Sequence, residues 1–131
     1  MVPHAPKGIT FCSSVFDEAL ELLMETRNYV AHTRSTGAIG ATPNDQLEFT
    51  CSASLLTALL TDIMAWLLAQ RDIAAGHLSA DESRSELFRL KGLDFYRSNR
   101  EAPLGEISAS LQELLQRGTH LYERVGRLAA A

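Results

Sequence analysis

From about Phe11 to Arg34 one helical face can be traced through Phe16, Leu20, Leu23, Arg27 and Val30, with Leu22 and Met24 flanking it. No proline or glycine interrupts this run. Ser14 and Asp17 form a candidate capping pair, and Asp17 and Glu18 suit the positive end of a helix dipole. The pattern stops at Ser35–Pro43, where two glycines and a proline mark a loop.

A second helix is predicted from Thr42 as cap and Pro43 at the first helical position, running to Ala75 with Gly76 as its stop. Leu55, Leu56, Leu59, Leu60, Ile63, Met64, Trp66 and Leu67 cover more than half of its circumference. A helix apolar over most of its surface must be covered over most of it. Ser54, Ala58, Thr61, Ala65 and Ala69 form a second stripe of small residues that lets a neighbouring helix approach closely. The segment Ala53–Ala69 is shorter than the roughly 20 apolar residues that a bilayer span needs, and Asp62 lies near its middle. It reads as a buried helix, not a membrane segment.

Ser79 to Glu82 fits a capping box that opens a short helix ending near Lys91, anchored by Leu87, Phe88 and Leu90, with Gly92 as its stop. Asp94–Leu104 is polar and reads as a connector. In the last helix, roughly Gly105–Ala129, Ile107, Leu111, Leu114, Gly118, Leu121, Val125 and Leu128 alternate steps of four and three, a heptad seam widened by Leu115 and Tyr122. The prediction is all-α: an up-down-up three-helix bundle with one additional short helix. Residues 1–10, which carry prolines instead of an apolar run, read as a flexible leader, and residues 11–131 as one domain. The surplus apolar face of the middle helix predicts a homodimer, the alternative being that the short additional helix covers it.

A length of 131 residues with 46% hydrophobic and 21% charged residues supplies one core and not two. The formal charge of −4 and pI near 5.5 give no long-range attraction toward phosphates, so nucleic acid is a poor default partner. Nothing resembles a secretory signal, and two cysteines are too few for a disulfide scaffold, which points to the cytoplasm.

Candidate chemistry changes this picture little. There is no Glu-x-x-His motif; the nearest pattern is the reverse, His120 to Glu123, and His4, His32, His77 and His120 lack ligand spacing. Asp17, Glu18, Glu21 and Glu25 form an acidic cluster best read as the solvated face of an amphipathic helix, or a contact surface for a basic partner. Cys12 and Cys51 belong at opposite ends of antiparallel helices and read as buried thiols. No catalytic, cofactor-binding or metal-ligating residue is assigned. Asp62 is the odd residue: it shares a stripe with Leu55, Leu59 and Trp66, so it needs a cation, an edge position or an ion pair across an interface.

An alternative comes from Ala69–Tyr96, which has the outline of a helix-turn-helix with Arg84, Arg89, Lys91, Arg97 and Arg100 in or after it. Glu82, Glu86, Asp94 and Glu101 largely cancel that charge, which weighs against a small DNA-binding regulator.

Leu55–Gly76, LLTALLTDIMAWLLAQRDIAAG, resembles the middle helix of the alphaproteobacterial RcdA family, regulators of CtrA degradation. His120–Leu128, HLYERVGRL, is similar to that family's last helix, and Phe16–Val30, FDEALELLMETRNYV, to its first. The resemblance implies a dimeric three-helix bundle without enzymatic activity, an adaptor for the ClpXP protease in cell-cycle control that bridges regulatory proteins and helps deliver substrates. ClpX or regulatory proteins are the implied partners. Trp66, Gln70 and Arg71, with Tyr122, Glu123 and Arg124, are the implied partner or dimer interface, joined by Asp62. Longer members extend past the last helix in a polar tail, whereas this chain stops at Ala131. Its closing Leu128-Ala-Ala-Ala131 resembles the alanine-ended tails that ClpX grips.

Overall fold

A computed structural model describes residues 7–40, 42–79, 81, 89–98 and 105–130, with side chains for all of these except 7–12, 97 and 98. The described elements are helices: α1 (Lys7–Thr36), α2 (Pro43–Ala74), α3 (Leu93–Ser98) and α4 (Ala109–Ala130). No strand occurs among the described residues.

The start of α1 differs from the sequence reading. The helix begins at Lys7 and not near Phe11, which places Ser14 and Asp17 inside it, away from its N-terminus. Nothing between Lys7 and Phe11 halts a helix, because the nearest proline upstream is Pro6. Residues 7–10 are therefore helical, and the rest of the expected leader lies outside the described residues.

The limits of α2 follow their local chemistry. Thr42 accepts a hydrogen bond from the Asp45 backbone N–H at 3.0 Å, and the Asp45 carboxylate accepts one from the Thr42 N–H at 3.3 Å, with Pro43 at the first position. At the other end Gly76 takes φ +80°, and His77 N–H donates back to Asp72 O at 2.8 Å. That reverse turn needs the left-handed conformation a glycine adopts without strain. The expected short helix from Ser79 to Lys91 falls mostly on residues outside the described set. Within the expected connector, Leu93–Ser98 is helical, and Gly92 precedes that helix instead of ending one. Ser108 caps α4, its Oγ accepting from Leu111 N–H at 3.1 Å, so that helix begins at Ala109, a turn later than Gly105.

Cross-helix contacts set the directions. Asp45, Leu56 and Asp62 of α2 meet Glu106, Gly118 and Tyr122 in the same order, so α2 and α4 run parallel. Glu18 and Glu25 of α1 meet Arg124 and Arg117 of α4 in reverse order, so these two are antiparallel. Phe16 lies under Arg71 and Tyr29 beside Phe49, so α1 and α2 are antiparallel as well. The expected up-down-up course is thus corrected to up-down-down. That course was the simplest packing of three amphipathic helices taken without the path of the chain between the last two. The chain from Ala75 to Ser108 instead returns along the bundle, about 48 Å for the 32 residues of α2, before α4 starts beside the beginning of α2.

The core lies on the axis of these three helices. Val15, Ala19 and Leu22 from α1 meet Leu56, Leu59, Leu60, Ile63 and Leu67 from α2 and Leu111, Leu114, Leu121 and Val125 from α4. Burying each large side chain contributes about 1.5–3 kcal/mol. The heptad seam of the last helix is this inward face, and its packing draws on both neighbours. The helix Pro43–Ala74 is long and apolar enough to cross a membrane by length and composition. Its leucines at 56, 59, 60 and 67 are in the core, as in the interior helix of a bundle.

Candidate functional site

The middle helix is wrapped more completely than its composition suggests. Leu55, Met64 and Trp66 are partly buried against the core, and the side chains α2 leaves open are chiefly Thr50, Ser54, Thr57, Thr61 and Leu68. The expectation of a broad leucine surface on this helix is corrected: α1, α4 and the core between them take up most of it. The remaining apolar exposure is shared with α1, where Leu20 is 40% and Met24 49% exposed.

Leu20 and Met24, with Thr50, Ser54 and Thr57, border an open groove of about 910 Å³ between the C-terminal half of α1 and the N-terminal half of α2. Leu20, Leu23, Met24 and Val30 form one wall; Ala53, Ser54, Thr57 and Ala58 form a low opposite wall. The α1 wall exists because the stripe Phe16, Leu20, Leu23, Arg27, Val30 is wider than the inward face of the bundle can absorb. The α2 wall is low because its residues there are alanines and hydroxyl residues. Thr57 Oγ1 donates to Ala53 O of the preceding turn at 2.8 Å, so that hydroxyl is already satisfied within α2. Arg27 and Arg34 are the charged lining residues, and among the described residues the lining holds no carboxylate.

A polar cluster lies on the other side of α2. Asp62 Oδ2 accepts hydrogen bonds from Tyr122 Oη at 2.6 Å, Tyr96 Oη at 3.0 Å and the Lys91 backbone N–H at 3.1 Å. Tyr122 Oη in turn accepts from the Gly92 N–H at 2.8 Å. The rings of Tyr96 and Tyr122 meet edge to face, 5.8 Å between centroids. Burial, followed by the hydrogen bond to the carboxylate, pushes both phenols well above their ordinary pKa, so they stay protonated donors. The half-buried Asp62 holds the returning chain to α2 and α4. Of the readings offered for Asp62, its half-burial fits the edge position; its donors are two tyrosines and a backbone amide, which none of those readings named.

The remaining sequence-predicted interface residues differ in exposure and in their contacts within the chain. Trp66 and Gln70 are half-buried, and Trp66 packs on the core. Arg71 lies over the Phe16 ring at 4.7 Å, a cation–π contact within the bundle. Tyr122 is buried and uses its hydroxyl internally. Glu123 is exposed, and Arg124 pairs with Glu18 at 2.8 Å. The structure brings Asp62 and Tyr122 together, and Arg71 and Arg124 both reach the turn of α1 that carries Phe16 and Glu18. Sequence reasoning missed Tyr96 and Lys91 as partners of Asp62, and Leu20, Met24 and Arg34 as borders of the groove. One signal was present for the groove, a cation at Arg27 in an otherwise apolar stripe.

The acidic cluster of α1 is answered inside the chain. Arg117 binds Glu25 through two hydrogen bonds, of 3.0 and 2.6 Å, alongside the Arg124–Glu18 pair. The hydrogen bond from Arg117, opposed by slight desolvation and aided by its charge, holds the Glu25 carboxyl below the ordinary glutamate value of 4.5. A depressed folded-state pKa adds stability above the unfolded value and loses it as pH falls through the folded one. Glu25→Gln is therefore expected to cost less than about 1 kcal/mol at neutral pH, since the pair is exposed. Urea midpoints of the two proteins should differ above pH 4.5 and converge as the pH is lowered beneath it. A difference that persists in acid would assign the effect to packing.

Cys51 is free and exposed, which corrects the expectation of a buried thiol, because α2 turns that position away from both neighbours. Cys12 lies in α1 with its side chain outside the described residues. No group of three or more His, Cys, Asp or Glu side chains suited to a metal occurs among the described residues. Of the helix-turn-helix-like segment, Arg89 and Lys91 are exposed, while Arg84, Arg100 and the side chain of Arg97 lie outside the described set.

A family model described as "protein of unknown function (DUF1465)" matches residues 9–131. The chain belongs to the DUF1465 family. No curated protein and no solved structure gives a significant match. The match runs from the early turns of α1 to the end of the chain, so it takes in both the groove and the Asp62 cluster of this DUF1465 protein.

Proposed function

We propose that this protein is a non-enzymatic adaptor or scaffold that binds other proteins in the cytoplasm, assisting regulated proteolysis by ClpXP in cell-cycle control. The observation that supports docking is the open groove between α1 and α2, where Leu20 and Met24, two of the five exposed large hydrophobic side chains among the described residues, stand at helical spacing. Exposed contiguous apolar surface with a polar rim is characteristic of sites that meet another polypeptide. The resemblance of Phe16–Val30, Leu55–Gly76 and His120–Leu128 to the RcdA family supplies the protease, its ATPase ClpX and the regulatory cargo as the implied partners. A homodimer belongs to the same proposal, and light scattering on the purified chain decides it. Membrane and nucleic acid have no part in it.

The test is affinity purification of the tagged chain from native cells, beside a Leu20→Asp/Met24→Asp variant. Both substitutions are on exposed positions, so circular dichroism should be unchanged. ClpX or a response-regulator-like protein is expected to be recovered with the parent chain and lost with the variant. Recovery of neither, under conditions where a known adaptor recovers its partner, removes the proposal.

A further inference from the structure

We infer that the groove between α1 and α2 takes an acidic amphipathic helix of another polypeptide. This rests on the docking reading above and specifies the occupant. The lining from Leu20 to Arg34 extends about 21 Å along α1, the length of roughly four helical turns. The low wall of Ala53, Ser54, Thr57 and Ala58 lets a helix backbone come close, while Leu20, Leu23 and Met24 offer apolar side chains for it to pack against.

Charge selects the class of helix. The protein carries a net charge of −4, yet the described charged residues lining this groove are both cationic, Arg27 and Arg34. They are exposed and stand seven residues apart on α1, about 10 Å along its axis. Arg27 has a long contact of 3.4 Å with its neighbour Asn28, and the Arg117 and Arg124 guanidiniums that satisfy Glu25 and Glu18 lie on the α4 side of α1. Arg27 and Arg34 are thus exposed cations on the lining, available to whatever lies in the groove. A helix with carboxylates two turns apart, flanking an apolar stripe, matches both the spacing and the sign. A second copy matches less well: a two-fold contact centred on this groove opposes Arg27 with the same residue of the other copy.

The experiment is selection from a display library of 16-residue amphipathic helices whose rim positions are Glu, Gln or Lys, against the full-length protein and against its Arg27→Glu/Arg34→Glu variant. Both proteins are first shown to be equally folded by circular dichroism. The parent is expected to enrich Glu over Lys at rim positions seven apart by about 10-fold, and the charge-reversed variant to enrich Lys instead. Met24→Asp is expected to abolish enrichment by either. No enrichment, enrichment without charge bias, or a bias unmoved by charge reversal overturns the inference. So does a dimer in light scattering that Met24→Asp dissociates, which would make the second copy the occupant. If native purification yields a partner lost with Leu20→Asp/Met24→Asp while the library shows no acidic bias, docking stands and its acidic class falls. If purification fails too, both fall.

Discussion

Gly118→Leu is expected to lower the stability of the bundle by about 3 kcal/mol, with a fall in Tm on the order of 10 °C. Gly118 is buried on the inward face of α4, and a Cβ placed there stands 2.6 Å from Leu56 Cδ1. Leu56 is fully buried among Leu59, Leu60 and Leu121, so it cannot swing away without displacing them. Alanine at 118 gains about 1 kcal/mol of helix propensity, which offsets most of the smaller clash and makes Gly118→Ala nearly neutral. Leucine adds three further heavy atoms in the same place and gains little more. The control is Gly118→Leu combined with Leu56→Ala, which exchanges volume across the contact and should recover part of the loss. Wild-type urea midpoints for Gly118→Leu would mean that α4 does not approach α2 at this point. The parallel course of the two helices would then need another explanation.

That contact also bears on the docking groove. Because Gly118 lets α4 sit close on one side of α2, Leu56, Leu60 and Ile63 are used up there, and α1 closes against the adjoining side. Beside the groove, the side of α2 left open carries threonine, serine and alanine, with the exposed Leu47 and Leu68 beyond it on either side. The groove is thus low-walled on α2 and apolar mainly on α1, an arrangement suited to receiving a helix more than to forming one large greasy interface.

The sequence showed its local features well and its long-range ones poorly, for separable reasons. Thr42, Pro43 and Gly76 limit α2 through contacts within a turn of themselves, and the Leu111–Val125 seam of α4 follows from periodicity alone. The all-helical class was legible for the same reason. The direction of α4 was not, because the segment Ala75–Ser108 is long enough to place the last helix either way, and amphipathic periodicity is the same read in both directions. The oddity of Asp62 was visible as a carboxylate in a leucine stripe. Its partners at Tyr96 and Tyr122 lie 34 and 60 residues away, where spacing carries no signal. The intrachain contacts of the expected interface residues were not legible either, because Arg71 and Arg124 meet Phe16 and Glu18 of α1 while Tyr122 meets Asp62 of α2, all far away in sequence.

Asp62→Ala is expected to cost about 2–3 kcal/mol and to loosen the returning chain before any of the long helices. One carboxylate oxygen accepts from Tyr122, Tyr96 and the Lys91 N–H, so its loss strands two phenols and an amide together. Tyr122 keeps its bond from the Gly92 N–H, and the half-buried site admits some water, which holds the cost below the sum of three separate bonds. Asp62→Asn retains an acceptor without the charge and should lose about 1 kcal/mol. The Asp62→Ala/Tyr122→Phe pair should be less destabilising than the two single changes added, because each removes the other's partner. Hydrogen exchange separates this account from a general weakening of the core: amides from Lys91 to Tyr96 should lose protection in Asp62→Ala, while those of Leu56–Leu60 exchange as before once the change in global stability is subtracted. If protection at Lys91 and Gly92 is unchanged, the carboxylate does not fasten this segment, and α3 is held by the packing of Tyr96 against Tyr122 alone.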